Sequence, residues 1–142
     1  MTLYTMIGLP GSGKSSFASN HPKCVVVSTD AIRGELFGNE SEQKDGKLVF
    51  DAAYARLAQA VEAGQDAIFD ATNLQRKYRK KIFQMFPKAY HVAVFVNTPV
   101  DVCKERNAKR NRVVPEMVID RMASHLNVPT IAEGFQKIIE IS

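Results

Sequence analysis

The chain has 142 residues and a mass of 15.8 kDa, the size of one domain that buries roughly two-thirds of the surface its unfolded form exposes, which excludes two independent cores. Hydrophobic residues at 45% and charged residues at 24% are ordinary globular usage and exclude wholesale disorder, collagen-like and coiled-coil designs. The balance is basic, with nineteen Lys and Arg against fifteen Asp and Glu, but the excess is lopsided: residues 1–75 carry six basic and nine acidic side chains, residues 76–142 thirteen and six.

In chain order, Leu3 to Ile7 is an apolar run that predicts a buried strand, followed by a Gly-rich turn and a helix from about Gly13 to Ser19. Val25 to Val27 predicts a second strand, Asp30 to Phe37 a short helix, and residues 39–46 an exposed loop. A long Ala-rich helix is expected from Lys47 to Ala63, stopped by Gly64. Ala67 to Phe69 is a third strand ending at Asp70, then comes a helix from Gln75 to Met85 with Pro87 beyond its end. Val92 to Val96 is a fourth strand, Val100 to Lys109 a helix, and Pro115 to Leu126 another with Pro in its first turn; residues 137–141 are a candidate last strand. Strands alternating with helices predict an α/β fold of three layers, a parallel sheet of about five strands between helices.

No apolar run approaches the roughly 20 residues of a membrane span, and the N-terminus lacks a basic stretch followed by an uninterrupted apolar one, so a soluble, cytoplasmic protein without a membrane partner is expected. Cys24 and Cys103 lie far apart, with no CxxC pair, which predicts reduced, mostly buried thiols.

Gly8-Leu-Pro-Gly-Ser-Gly13-Lys14-Ser15 fits G-x-x-x-x-G-K-[ST] between a predicted strand and a helix start. Gly8, Gly11 and Gly13 let successive N–H groups converge on phosphate oxygens, Lys14 adds a point charge toward the β- and γ-phosphates, and Ser15 offers a hydroxyl to Mg²⁺. The expected nucleotide-binding set is Gly8, Pro10, Gly11, Ser12, Gly13, Lys14, Ser15 and Ser16. There is no N-K-x-D or D-x-x-G, which argues against a GTPase switch. Asp70, at the end of the third strand, supplies the carboxylate expected near Mg²⁺, but no Glu follows it to orient a water. A transferase that moves the γ-phosphoryl of ATP to a hydroxyl fits this pattern better than an ATPase.

Asp30 falls just past the second strand, on the floor of the crevice that strand ends form in a doubly wound sheet. It is placed either to accept the proton of an acceptor hydroxyl or to cap the helix that follows; spacing leaves both open. Arg33 lies one turn on, where a simple ion pair with Asp30 is the plainer reading. Farther along, Arg106, Lys109, Arg110 and Arg112 are packed together; Arg106 and Arg110, at i and i+4, are expected on one face at a helix end, closing over a triphosphate. The run Arg76-Lys-Tyr-Arg-Lys-Lys81 is a second basic cluster. Helical spacing makes Tyr78, Ile82, Met85 and Phe86 the expected buried face and the cations the solvated one, with a nucleic-acid contact as the alternative.

Together G-L-P-G-S-G-K-S at 8–15, S-T-D-A-I-R at 28–33, D-A-T-N at 70–73, R-N-A-K-R at 106–110 and P-T-I-A-E-G-F at 129–135 resemble the polynucleotide 5′-kinases, the kinase module of the bacteriophage end-repair enzyme and of eukaryotic polynucleotide kinase 3′-phosphatases. The resemblance implies one P-loop kinase domain over 1–142 with a short basic lid near 104–115, using ATP and Mg²⁺ to phosphorylate the 5′ end of a nucleic acid. It implies Lys14 and Ser15 as ATP and Mg²⁺ ligands, Asp30 as general base, Arg33 on the acceptor's phosphate, and Arg106 and Arg110 in the lid; Ala71 stands between Asp70 and Thr72, as in the eukaryotic type. No D-x-D-G phosphatase signature occurs. Similar modules phosphorylate aminoacyl-tRNA, sugars, antibiotics or nucleotide sugars, which leaves a small-molecule kinase, or an ATP-binding module without catalysis, as the alternatives.

Overall fold

A computed structural model of the chain describes residues 1–38, 46–110 and 113–142. The loop expected over 39–46 therefore lies, Gly46 apart, outside the described residues, as does Arg112. Strands β1 (Thr2–Ile7), β2 (Val25–Ser28), β3 (Ala67–Asp70), β4 (Tyr90–Val96) and β5 (Lys137–Ile141) alternate with helices α1 (Lys14–Ser19), α2 (Thr29–Phe37), α3 (Gly46–Glu62), α4 (Arg76–Met85), α5 (Val100–Asn107) and α6 (Glu116–Ser124). The strands form one parallel sheet in the order β2-β3-β1-β4-β5, so β1 sits at its centre between β3 and β4.

The period of two along the strands decides which side chain meets which helix. Leu3, Val27 and Phe69 face α3, whose Val49, Ala53, Leu57 and Ala60 recur at helical spacing and are buried. Met6, Ile68, Val92, Val94 and Val96 point the other way, against Phe17 of α1. Each fully buried aliphatic or aromatic side chain contributes about 1.5–3 kcal/mol relative to exposure. The sheet is thus buried on both faces, which is why its strands read as apolar runs. Gly64, at φ 69, stops α3 where expected: its own N–H reaches the Val61 carbonyl at 3.0 Å, and that of Gln65 reaches Ala60 at 2.9 Å.

Three helix ends and one helix face differ from expectation. Helix α5 stops at Asn107, two residues early, because the Asn107 amide grips Val114, donating to its carbonyl at 2.6 Å and accepting from its N–H at 3.0 Å. Pro115 stands just before α6 as its cap, not inside the first turn, and the helix closes at Ser124. On α4 the expected faces are partly reversed. Tyr78 and Met85 are exposed, whereas Arg79 is completely buried beside Ile82. Its guanidinium is satisfied there by the Glu133 carboxylate, at 2.7 and 3.0 Å, and by the carbonyls of Asn73 and Leu74. Burying a charge is tolerated when it is paired and hydrogen-bonded, and here four of the five guanidinium N–H groups are engaged.

Candidate active site

The cleft opens at the carboxyl ends of β1, β2 and β3, where loops leave adjacent parallel strands. After Ile7 the chain turns through the P-loop, with Gly11 at φ 80 and Gly13 at φ 104. A Cβ on Gly11 would stand 2.4 Å from the Cys103 carbonyl, so only glycine lets α5 approach this closely. That approach is secured by side chains: Thr98 donates to the Ser12 carbonyl at 2.7 Å, and Arg106 reaches the same oxygen at 3.3 Å. On the other side, the Gly8 N–H donates to Thr72 at 3.1 Å, and Asn73, itself at φ 47, donates to Met6 at 2.9 Å. The D-A-T-N segment thereby clamps the exit of β3 to the exit of β1.

Lys14 starts α1, and its ammonium donates to the carbonyls of Gly8 and Leu9, both at 3.1 Å. Asp30 lies in the first turn of α2, but it does not cap that helix: the Ser28 hydroxyl accepts from the Ala31 N–H and fills that role. Asp30 is instead held by two arginines, Arg33 at 3.1 Å and Arg110 at 3.2 Å. The ion pair expected between Asp30 and Arg33 is therefore present, and Arg110 joins it from a segment 80 residues away. Arg110 has left α5 by this point, so it and Arg106 do not share a helical face; both nevertheless line one cavity.

That cavity, about 360 Å³, brings Gly11, Gly13, Lys14 and Ser15 together with Asp30 and Asp70 as well as the two arginines. A smaller space of about 90 Å³ continues past Asp30 and adds Pro10 and Arg33. Of the residues expected in the site, Gly8, Ser12 and Ser16 stand outside both linings. Ser12 is buried with its hydroxyl unpartnered among the described residues, and Ser16 is exposed.

Burial pulls the Lys14 ammonium below its ordinary range, helped by Arg110 and opposed by the carboxylates of Asp70 and Asp30. Burial likewise pushes the Asp70 carboxyl up, with Lys14 and Arg110 opposing and Asp30 adding to the shift. The pocket thus holds buried opposite charges that partly offset one another. Among the described residues no group of three His, Cys, Asp or Glu side chains forms a ready-made metal cage. Ser15 and Asp70 do share the cavity, and a hydroxyl with a carboxylate is the hard-oxygen set that fits Mg²⁺ arriving with a nucleotide.

The supporting residues are the ones that sequence reasoning missed. Thr98, Asn73, Asn107 and the Arg79–Glu133 pair touch loops that shape the cleft. Asn73, Asn107 and Glu133 lie inside motifs that carry the resemblance, without a role there; Glu133 also completes a capping pattern T-x-x-E at 130–133, and Thr98 and Arg79 carried no signal.

A family model described as an AAA domain matches residues 3–129. Among curated proteins, the chain is 31% identical over 120 residues to an adenylyl-sulfate kinase of Buchnera aphidicola subsp. Schizaphis graminum, covering 72% of this chain and 53% of that one. It is 25% identical over 137 residues to an L-seryl-tRNA(Sec) kinase of Methanococcus maripaludis, covering 89% and 53%. The chain therefore spans about half the length of each of these relatives. Among solved structures, a chain of the Pnkp1/Rnl/Hen1 RNA repair complex superposes with a TM-score of 0.76 at 22% identity, covering 88% of this chain and 43% of that one.

Proposed function

The chain belongs to the AAA domain family, as a P-loop kinase domain, and from that premise we infer that it transfers the γ-phosphoryl of ATP to an acceptor hydroxyl, the 5′-hydroxyl of a polynucleotide fitting best. The observation that carries this reading is the position of Asp30. A carboxylate fixed by Arg33 and Arg110 faces the same cavity as Lys14, so a proton acceptor and a phosphate-binding loop share one cleft. The order of the five motifs, and relatives named for seryl-tRNA and for an RNA repair complex, favour a nucleic-acid acceptor. The relative named for adenylyl sulfate favours a small one, which makes the acceptor the point to test.

In this reading the backbone of Gly8–Gly13 cradles the phosphates, with Pro10, Ser12 and Ser16 shaping the loop, and Lys14 bridges toward the β- and γ-phosphates. Ser15 and Asp70 would hold Mg²⁺, which when bound neutralises charge on the phosphate oxygens. Asp30 accepts the hydroxyl proton as the acceptor oxygen bonds to the γ-phosphorus and the bond to the β–γ bridging oxygen breaks, leaving ADP. Arg106 and Arg110, in a short basic lid near 104–115, take up the charge that spreads over the transferring group, and an arginine so placed is worth roughly 10³–10⁵ in rate. Arg33 positions the acceptor's phosphate.

Asp30→Ala should lower phosphoryl transfer to a 5′-hydroxyl oligonucleotide by roughly 10²–10⁴, the usual contribution of a general base, while ATP affinity stays within a few-fold. Transfer measured with γ-labelled ATP, beside calorimetric ATP binding, separates the two effects. Parallel loss of binding and transfer would overturn the assignment of Asp30.

A further inference from the structure

Beyond Asp30 the cleft does not end. The small space around it shares Arg33, Phe50, Thr72 and Met122 with a wider groove of about 620 Å³. This is within the ~300–1,000 Å³ that holds an organic ligand and far more than one phosphate needs. The groove lies between α3, α4 and α6, and two kinds of side chain give it a distinct chemistry. Tyr54 of α3 and Tyr78 of α4 offer aromatic surface, and Tyr78 is 58% exposed. Lys77, Lys81 and Arg121 add positive charge, and no carboxylate belongs to the described lining. None of these three cations is in an ion pair among the described residues, whereas their neighbour Arg79 is buried on Glu133. Two of them instead lie over the rings, Lys81 at 4.7 Å from the Tyr54 centroid and Lys77 at 5.0 Å from that of Tyr78.

Cations beside aromatic rings, Tyr78 exposed and Tyr54 half-buried, form a surface suited to single-stranded nucleic acid, in which phosphates meet the charges and bases stack on the rings. Asp51 of α3 acts on Lys81 from outside the lining but is itself paired with Lys47 at 2.7 Å. We propose that this groove holds the acceptor strand beyond its reacting end, with phosphates on Lys77, Lys81 and Arg121 and a base against Tyr78. The exposed face of α4 is then what selects a nucleic acid over a small hydroxyl compound. The proposal rests on the kinase reading for the direction in which the strand runs, but it predicts binding in its own right.

The test is fluorescence anisotropy of a short labelled single-stranded 5′-hydroxyl oligonucleotide titrated with the full chain over a series of salt concentrations. Tyr78→Ala should weaken binding by about fivefold or more, the lower end for loss of one stacked base, and Tyr78→Phe should retain it. Lys81→Ala and Arg121→Ala should each lower the slope of log affinity against log salt by about 0.7, the value for one phosphate contact to a single strand. Lys88→Ala, a cation outside the groove, should change neither quantity, and ATP affinity should hold in all variants. Unaltered affinity and slope in the groove variants would overturn the proposal, as would failure of the native chain to bind the oligonucleotide at low salt. Labelled-phosphate transfer separates this from the kinase reading. Phosphorylation of a sugar without strand binding leaves the kinase standing and removes the groove's role. Strand binding with the expected losses, but no transfer to any acceptor, does the reverse.

Discussion

At the scale of single residues, the cleft is assembled from side chains that each answer to two neighbours. Asp30 is gripped by Arg33 within its own helix and by Arg110 from a segment 80 residues along the chain, so two separate stretches of sequence meet on one carboxylate. Arg79 has the same character in the scaffold, linking the D-A-T-N segment to the tail through Glu133. Removing one partner of a buried, hydrogen-bonded pair strands the other charge and typically costs 3–5 kcal/mol. Arg79→Ala should therefore lower the thermal midpoint far more than Lys80→Ala, one position along on the exposed side of α4; thermal unfolding of the two variants checks this. Lys14, Ser15 and Asp30 were readable because their motifs fix their positions relative to a strand end. Arg79 was not. In the run Arg76-Lys-Tyr-Arg-Lys-Lys81 nothing local marks one cation for burial, and its carboxylate lies 54 residues away.

At the scale of elements, the same partners make stability depend on pH. Burial pushes the Glu133 carboxyl up, but hydrogen bonds from Arg79 and Thr130 and the charges of Arg79 and Arg76 outweigh it, and the group ends below its ordinary range. A depressed carboxyl gives stability that is fully present above the unfolded value, near 4.3, and is lost as pH falls through the folded one. His91 in β4 adds an earlier phase. Burial draws its imidazole down against the opposing Phe86 hydrogen bond, so below about 6.5 the unfolded chain takes up a proton that the folded chain resists. Denaturant midpoints should fall first as pH drops below about 6.5 and again as it drops below about 4.3. Glu133→Gln should flatten the second fall and His91→Phe the first; a variant whose profile matches the native one would contradict the assignment for that residue. The elements themselves were legible because the strands are apolar on both faces and the helices end at Gly or near Pro. The face of α4 was misjudged because spacing ranks Tyr and Met as core residues, whereas here a satisfied Arg fills that place.

At the scale of the whole molecule, the basic C-terminal half resolves into separate tasks. Arg106 and Arg110 lie on the P-loop side of the cleft, Lys104 pairs with Asp120 at 2.8 Å, and Arg79 is consumed by Glu133. Among the described residues of this half, the cations that line the groove are Lys77 and Lys81 on α4 and Arg121 on α6, beside Arg33 from the other half. Sheet order made this division possible. With β1 at the centre, the loops after β1, β2 and β3 converge on one crevice, where Arg106 at the end of α5 and Arg110 just beyond it line the same cavity. The measurement that most directly tests the account is transfer of labelled γ-phosphate from Mg-ATP to a panel of 5′-hydroxyl oligonucleotides, sugars and nucleotide sugars. The account predicts rapid labelling of the oligonucleotides and little of the rest. Labelling confined to a small molecule, or tight ATP binding with no transfer at all, would contradict it.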